Sequence, residues 1–260
     1  MTRPYLLFLA LALAPAPAFA HKPKAGKEPV ALAEKLGQYL PEGTVFSDEN
    51  GKKVNLRALI GRPAIIVPVF FGCAHECSFQ LAGLAEVLGK LERLRPGKDF
   101  QVVTVSFDPK DTPKIAAEKK GNYLKAIGRP FPPEAWSFLT GDQGNISSFL
   151  SAVGFDVRRD GKEFSHPIAL VVVSPAGKIV RYLDGVSFLP FEVLMALTEA
   201  AEGRVGSPSR SALLYCYSYD PLKKTYVFNV LKVTAAAVFL FLAAFAAYLR
   251  TTAKKLREQA

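Results

Sequence analysis

A mixed α/β sheet flanked by helices is the fold class the sequence predicts, and three observations carry it. Continuous apolar runs rich in β-branched residues recur at Pro63–Phe71 and within "DFQVVTVSFDP". Stretches with apolar residues at helical spacing alternate with those runs. A late strand–turn–strand pattern, "HPIALVVVSPAGKIVRYLDG", then adds a hairpin.

Taken in order, Asp48-Glu49-Asn50-Gly51 reads as a turn between two short strands. Pro63–Phe71 reads as a central buried strand. From Ser78 to Leu94, Leu81, Leu84, Val87, Leu88 and Leu91 repeat on one helical face. "DFQVVTVSFDP" is a second buried strand. "DTPKIAAEKKGNYLKAIG" is a helix capped by Asp111 or Thr112, with Pro113 near its first turn. "WSFLTG" is a short strand and "DQGNISSFLSAVGF" a short helix. After the late hairpin, "LPFEVLMALTEAAEG" is a helix ended by Gly203. A strand, a turn with cysteines, a helix and a second strand make a right-handed parallel crossover. With antiparallel strands following and a last helix over them, the plan is thioredoxin-like and spans residues 40–203.

The two ends of the 260-residue chain read differently from its body. "MTRPYLLFLALALAPAPAFA" has a basic start at Arg3, an apolar stretch Tyr5–Ala14 and the small-x-small pattern Ala18-Phe19-Ala20. It reads as a signal peptide over 1–20, with an uncleaved anchor as the alternative. Residues 21–39 read as a flexible segment. Val233–Leu249 carries no charge and, extended back to Val227, is long enough to cross a bilayer. The basic tail 250–260 holds Arg250, Lys254, Lys255 and Arg257, which places it in the cytoplasm by the positive-inside rule. A buried helix is the alternative there, and the absence of a polar face argues against it. Residues 204–226 read as a juxtamembrane linker. The expectation is a bacterial inner-membrane protein with one C-terminal transmembrane helix and a periplasmic body.

Net charge is +10, but Arg3 and seven basic residues from Lys223 onward belong to the two ends. The body is only mildly basic, which argues against a nucleic-acid surface.

The chemistry concentrates in "FFGCAHECSFQ". Cys73 and Cys77 stand four apart, where a buried strand ends and a helix begins. Backbone N–H groups at a helix N-terminus favour a thiolate, and residues i and i+4 share a helix face. The pair therefore suits a structural disulfide, a redox couple or a soft metal. The spacing exceeds the Cys-x2-Cys of ordinary thioredoxins, and two thiolates with an imidazole suit copper. The chain has three histidines. His75 lies inside the cysteine loop, His21 near the N-terminus, and His166 just before the strand Ile168–Val173. That strand's leading loop lies beside the cysteine turn in a thioredoxin-like sheet, so His166 is the better third ligand. Cys216, flanked by Tyr215 and Tyr217, is left over as a packed thiol or a partner thiol.

These motifs resemble the Sco/SenC family of membrane-tethered copper proteins, which help assemble the copper centre of cytochrome c oxidase. "FFGCAHEC", "VSFDPKDTP", "WSFLTG" and "SHPIALVVVSPAGKIVRYLDG" match that family's segments in order, and "LLYCYSYDPLKKTYVFNVLKV" resembles a bacterial subgroup with a C-terminal membrane helix. The likeness covers about residues 40–235. It implies copper, as Cu(I) or Cu(II), on Cys73, Cys77 and His166, with Asp108 and Asp111 beside the site. Ala74 and Pro167 depart from the family's usual residues. A proline after His166 suggests a cis peptide and a retuned affinity or redox potential.

Three functions compete. A metallochaperone would hold copper and pass it to the copper-receiving subunit of an oxidase without turning over a substrate. A thiol–disulfide reductase would keep that subunit's cysteines reduced, with Cys73 attacking, Cys77 resolving and His166 optional. Other copper chaperones or periplasmic thiol reductases would be its further partners. A thioredoxin-like peroxidase ranks last, because no dedicated polar pocket for a peroxidatic thiol is legible.

Overall fold

Five strands form the central sheet in the order β5-β4-β3-β8-β9. The computed structural model describes residues 30–73, 76–161, 163–206, 217–220, 225–228, 234, 238–242 and 244–245. In the sheet, β3 (Ala64–Val69), β4 (Gln101–Ser106) and β5 (Trp136–Leu139) run parallel, β8 (Ala169–Val173) is antiparallel to β3, and the edge strand β9 (Ile179–Asp184) is antiparallel to β8. Every side chain of β3 from Ala64 to Val69 is buried, as is every one of β8. That follows from their continuous apolar runs, which leave no face for water.

Between β3 and β4 runs helix α2 (Glu76–Lys90), and α3 (Pro113–Ala126) joins β4 to β5. Helix α4 (Gln143–Val153) precedes the hairpin strands, and α5 (Pro190–Ala201) ends the domain. Helix α2 packs on α3 and α5, and α5 lies over β3, β8 and β9. This is the thioredoxin-like α/β arrangement the sequence predicts. The opening hairpin also forms: β1 (Val45–Ser47) pairs with β2 (Lys53–Asn55) around Gly51. Its Glu49 carboxylate reaches across to accept the Phe138 N–H of β5 and to pair with Lys120 of α3.

Several details differ from the sequence reading. Thr112, not Asp111, caps α3, accepting from the Ile115 N–H. A one-turn helix α1 (Leu56–Leu59) and a second small hairpin, β6 (Arg158–Asp160) with β7 (Glu163–Ser165), carry no legible periodicity. Residues 31–39, read as flexible, are tied down. Gly37 N–H donates to Ile179 O and Ile179 N–H to Gln38 O, so this segment covers the open edge of β9. The Lys35 N–H donates to the Tyr182 hydroxyl, which donates on to Val153 O. Residues 204–206, assigned to the linker, still bond to the body through the Gly206 N–H and Val180 O.

Residues 217–220 and 225–228, read as linker and the start of the span, pair as an antiparallel hairpin, β10 (Tyr217–Asp220) with β11 (Thr225–Phe228). The proposed signal peptide, His21, the basic tail and much of 229–249 lie outside the described residues. Residues 238–242 and 244–245 are helical. Among the described residues no helix is long and apolar enough to cross a membrane.

Candidate metal centre

The site forms where β3 leaves the sheet. β3 pairs with β8 through Ala64, Ile65 and Ile66, and Pro68, which has no N–H to give, stands beyond that pairing. The chain then turns, with the Cys73 N–H donating to Phe70 O at 3.3 Å. Ala74 and His75 lie outside the described residues. Ser78 Oγ, on the first turn of α2, donates back to Cys73 O at 2.8 Å and pins the turn to the helix.

Both thiols are free and buried, Cys73 4% and Cys77 1% exposed. Burial pushes the Cys77 thiol well above its ordinary range; a backbone hydrogen bond from Phe70 opposes the shift, and the neighbouring Cys73 adds to it. The helix N-terminus was expected to favour a thiolate here. Such an end contributes at most about 2 kcal/mol, and desolvation outweighs it at this depth. Cys77 is thus a protonated thiol that gives up its proton only to a stronger partner.

A hydrogen-bond acceptor faces it. His166 follows β7, and its Nε2 lies 3.2 Å from Cys77 Sγ. Its Nδ1 lies 2.8 Å from Pro167 O. A carbonyl can only accept, so Nδ1 carries the hydrogen and Nε2 holds a lone pair toward the sulfur. A backbone carbonyl behind Nδ1 is the usual orienting partner of a metal-binding imidazole. No peptide bond among the described residues is cis, the one before Pro167 included. Phe107 and Phe70 flank the ring, with centroids at 5.1 and 6.2 Å.

The two carboxylates do not touch the thiols. Asp111 accepts from the Phe71 N–H at 2.7 Å and from Ser106 Oγ at 2.6 Å, strapping the cysteine turn to the end of β4. Burial raises its pKa, and these two hydrogen bonds counter the rise. Asp108 accepts from the Lys110 N–H and pairs with Arg159 at 2.7 Å.

Sequence reasoning missed Arg159, the rings Phe70 and Phe107 that flank His166, Phe164 packed against both of them, and Tyr123 near the thiols. Phe70, which opens the cysteine motif, and Phe107, beside the Asp-Pro motif, had a signal. It also missed Gln80, one turn past Cys77, whose buried amide has no partner among the described residues. Cys216 lies outside those residues.

Chemically, the place offers two soft sulfurs and one imidazole nitrogen with its lone pair free. Among the described residues no three His, Cys, Asp or Glu side chains already close around one point. Cys77 and His166 are in contact, and Cys73 is within hydrogen-bonding reach of Cys77. Such a set can form a disulfide or take up a copper-like ion.

A family model described as SCO1/SenC matches residues 42–202, which takes in the whole of this site. The chain belongs to the SCO1/SenC family. A SCO1 protein homolog of Bacillus subtilis (strain 168) is 27% identical over 168 residues, 63% of this chain and 83% of that protein. A solved protein of Aquifex aeolicus VF5 is 32% identical, with TM-score 0.58, covering 64% of this chain and 95% of its own. Arabidopsis thaliana ScoI, solved with copper bound, shares the fold at TM-score 0.50 and 24% identity, over 60% of this chain and 96% of that one. In this SCO1/SenC chain the cysteine turn follows β3 and the histidine loop leads into β8, its neighbour in the thioredoxin-like sheet.

Proposed function

We propose that this protein is a membrane-tethered copper chaperone. It holds copper through Cys73, Cys77 and His166 on the periplasmic face of a bacterial inner membrane and passes it to the copper-receiving subunit of a cytochrome c oxidase. One observation carries the reading: Cys77 Sγ and His166 Nε2 face each other at 3.2 Å, with the imidazole tautomer set by Pro167 O. Family membership and the copper found in a structural relative support it. The exposed apolar side chains of the helical residues 238–242 support the tether.

Both thiols are buried, so the ion sits where water is scarce and competing ligands reach it only through contact with a docked partner. Uptake must displace the Cys77 proton, and transfer must return it, so the acceptor receives copper by ligand exchange.

The test uses the full chain in detergent, reduced and titrated with copper without air and in air. One copper per chain, with thiolate-to-Cu(II) absorption lost in Cys73→Ser and Cys77→Ser and weakened in His166→Ala, is the expected result. Wild-type binding left unchanged in His166→Ala would remove the imidazole from the ligand set.

A second reading, a thiol–disulfide reductase for the same recipient, is favoured by the proximity of the two free thiols. In that role Cys73 attacks, since Cys77 is held protonated. Absence of stoichiometric copper together with facile Cys73–Cys77 disulfide cycling would select it.

A further inference from the structure

His166 directly follows β7, so the hairpin β6–β7 carries the imidazole. Along that hairpin the described side chains are exposed, apart from Phe164, which is half-buried. The Phe164 ring meets Phe70 at 4.9 Å and Phe107 at 5.3 Å. Those same two rings flank His166. The Arg159 guanidinium lies 4.3 Å over the Phe164 ring and donates to Asp108 Oδ1 at 2.7 Å. Asp108 is largely buried and belongs to the loop after β4, where it also accepts from the Lys110 N–H. A continuous chain of contacts therefore runs from the β4 loop through Arg159 and Phe164 to the two rings that bound the imidazole.

We propose that Arg159 is a positioning residue for His166. By bridging Asp108 and Phe164 it fixes the hairpin against the β4 loop, and so fixes Nε2 in front of Cys77. An exposed ion pair alone contributes little. Here the guanidinium does two things that need its planar, charged form at once: it stacks on an aromatic face and pairs with a partly buried carboxylate. A lysine supplies the charge without the plane, and a methionine supplies the stem without the charge. The consequence for copper rests on the proposed ligand set; the placement of the imidazole does not.

The experiment uses the full chain in detergent with selectively 15N-labelled histidine. Three histidines give three sets of ring signals, and His166 is assigned by its loss in His166→Asn. In the reduced, metal-free wild type, His166 is expected as the single Nδ1–H tautomer. In Arg159→Met its signals should move toward the average of both tautomers, and Cu(II) affinity should fall by about 10- to 100-fold, the range for losing an outer partner of a metal ligand. Arg159→Lys should recover part of both. Arg159→Met should add little in an Asp108→Asn background, because the two residues act as one unit. A lowered melting temperature with unchanged His166 signals and unchanged affinity would overturn the proposal and leave Arg159 merely structural. If the wild type takes no copper, the chaperone reading fails, while the ring signals of Arg159→Met still decide the positioning claim.

Discussion

The Cys77 sulfur and the His166 Nε2 share a hydrogen bond of 3.2 Å across 89 residues of sequence. With Nδ1–H committed to Pro167 O, the shared proton belongs to the thiol. Copper bound here must replace it. Copper affinity should therefore rise with pH, by about tenfold per unit for each thiol proton displaced. Competition titrations at pH 6, 7 and 8 measure the slope, and a flat response would exclude Cys77 as a ligand.

The same burial gives the apoprotein an alkaline weakness. Cys77 titrates above its ordinary 9.0 in the fold, and Tyr182 is raised from 10.0 to about 12, mainly by burial. Above these ordinary values the unfolded chain has lost protons that the native state keeps, so stability falls as pH rises. The slope is up to about 1.4 kcal/mol per pH unit for each group. Below pH 9 both contributions are intact. Denaturant midpoints at pH 8 and 10, under reducing conditions, should show the loss, and Tyr182→Phe should lessen it above pH 10.

Gln80 is fully buried, and neither its Nε2 nor its Oε1 has a hydrogen-bond partner among the described residues. Gln80→Leu keeps the volume and removes two unsatisfied polar atoms. It should raise stability by about 1–3 kcal/mol. A destabilised variant in urea unfolding would show that the amide is satisfied in solution.

At Gly83 a Cβ would stand 1.9 Å from the Val186 carbonyl oxygen, because α2 passes directly against the loop between β9 and α5. Alanine there gains up to about 1 kcal/mol of helix propensity. That gain is outweighed by a backbone collision that forces α2 and α5 apart, so Gly83→Ala should lower the melting temperature. Gly121→Ala, in α3 with nothing within 4 Å of the new methyl, should raise it. Calorimetry of both variants checks the sign of each change.

Asp111 holds the cysteine turn through the Phe71 N–H while its charge is disfavoured by burial. Asp111→Asn keeps an acceptor and relieves the charge, so its stability should stay close to wild type. Asp111→Ala strands the Phe71 N–H and should cost about 1–3 kcal/mol. Equal losses in the two variants would show that the charge, rather than the acceptor, is what matters.

The sheet was legible because β3, β4 and β8 are uninterrupted apolar runs, and because the crossover between β3 and β4 has one permitted hand. The thiols were legible from spacing alone, whereas His166 needed the resemblance as well. What escaped was set by tertiary context. Burial at Cys77 outweighs the helix end, and depth is not written in local sequence. Asp111 and Thr112 are both good capping residues, and only the packing of β4 against the cysteine turn reveals which one is free to cap. The hairpin bearing Arg159 is short, polar and exposed, so it has no alternation to read. Residues 31–39 looked loose because their order comes from covering the edge of β9.

β3 and β8 are direct neighbours in the sheet yet come from opposite halves of the chain. The sulfurs hang from one and the imidazole leads into the other, so neither half holds the complete grip by itself. A chain emerging through a membrane N-terminus first would display its two thiols long before the histidine arrived. If the proposed ligand set holds, only closure of the β3–β8 seam brings its three residues together, which would make tight copper uptake a certificate that the topology is finished. Whatever binds all three groups also bolts that seam shut, and the loaded protein should resist unfolding and proteolysis more than the empty one.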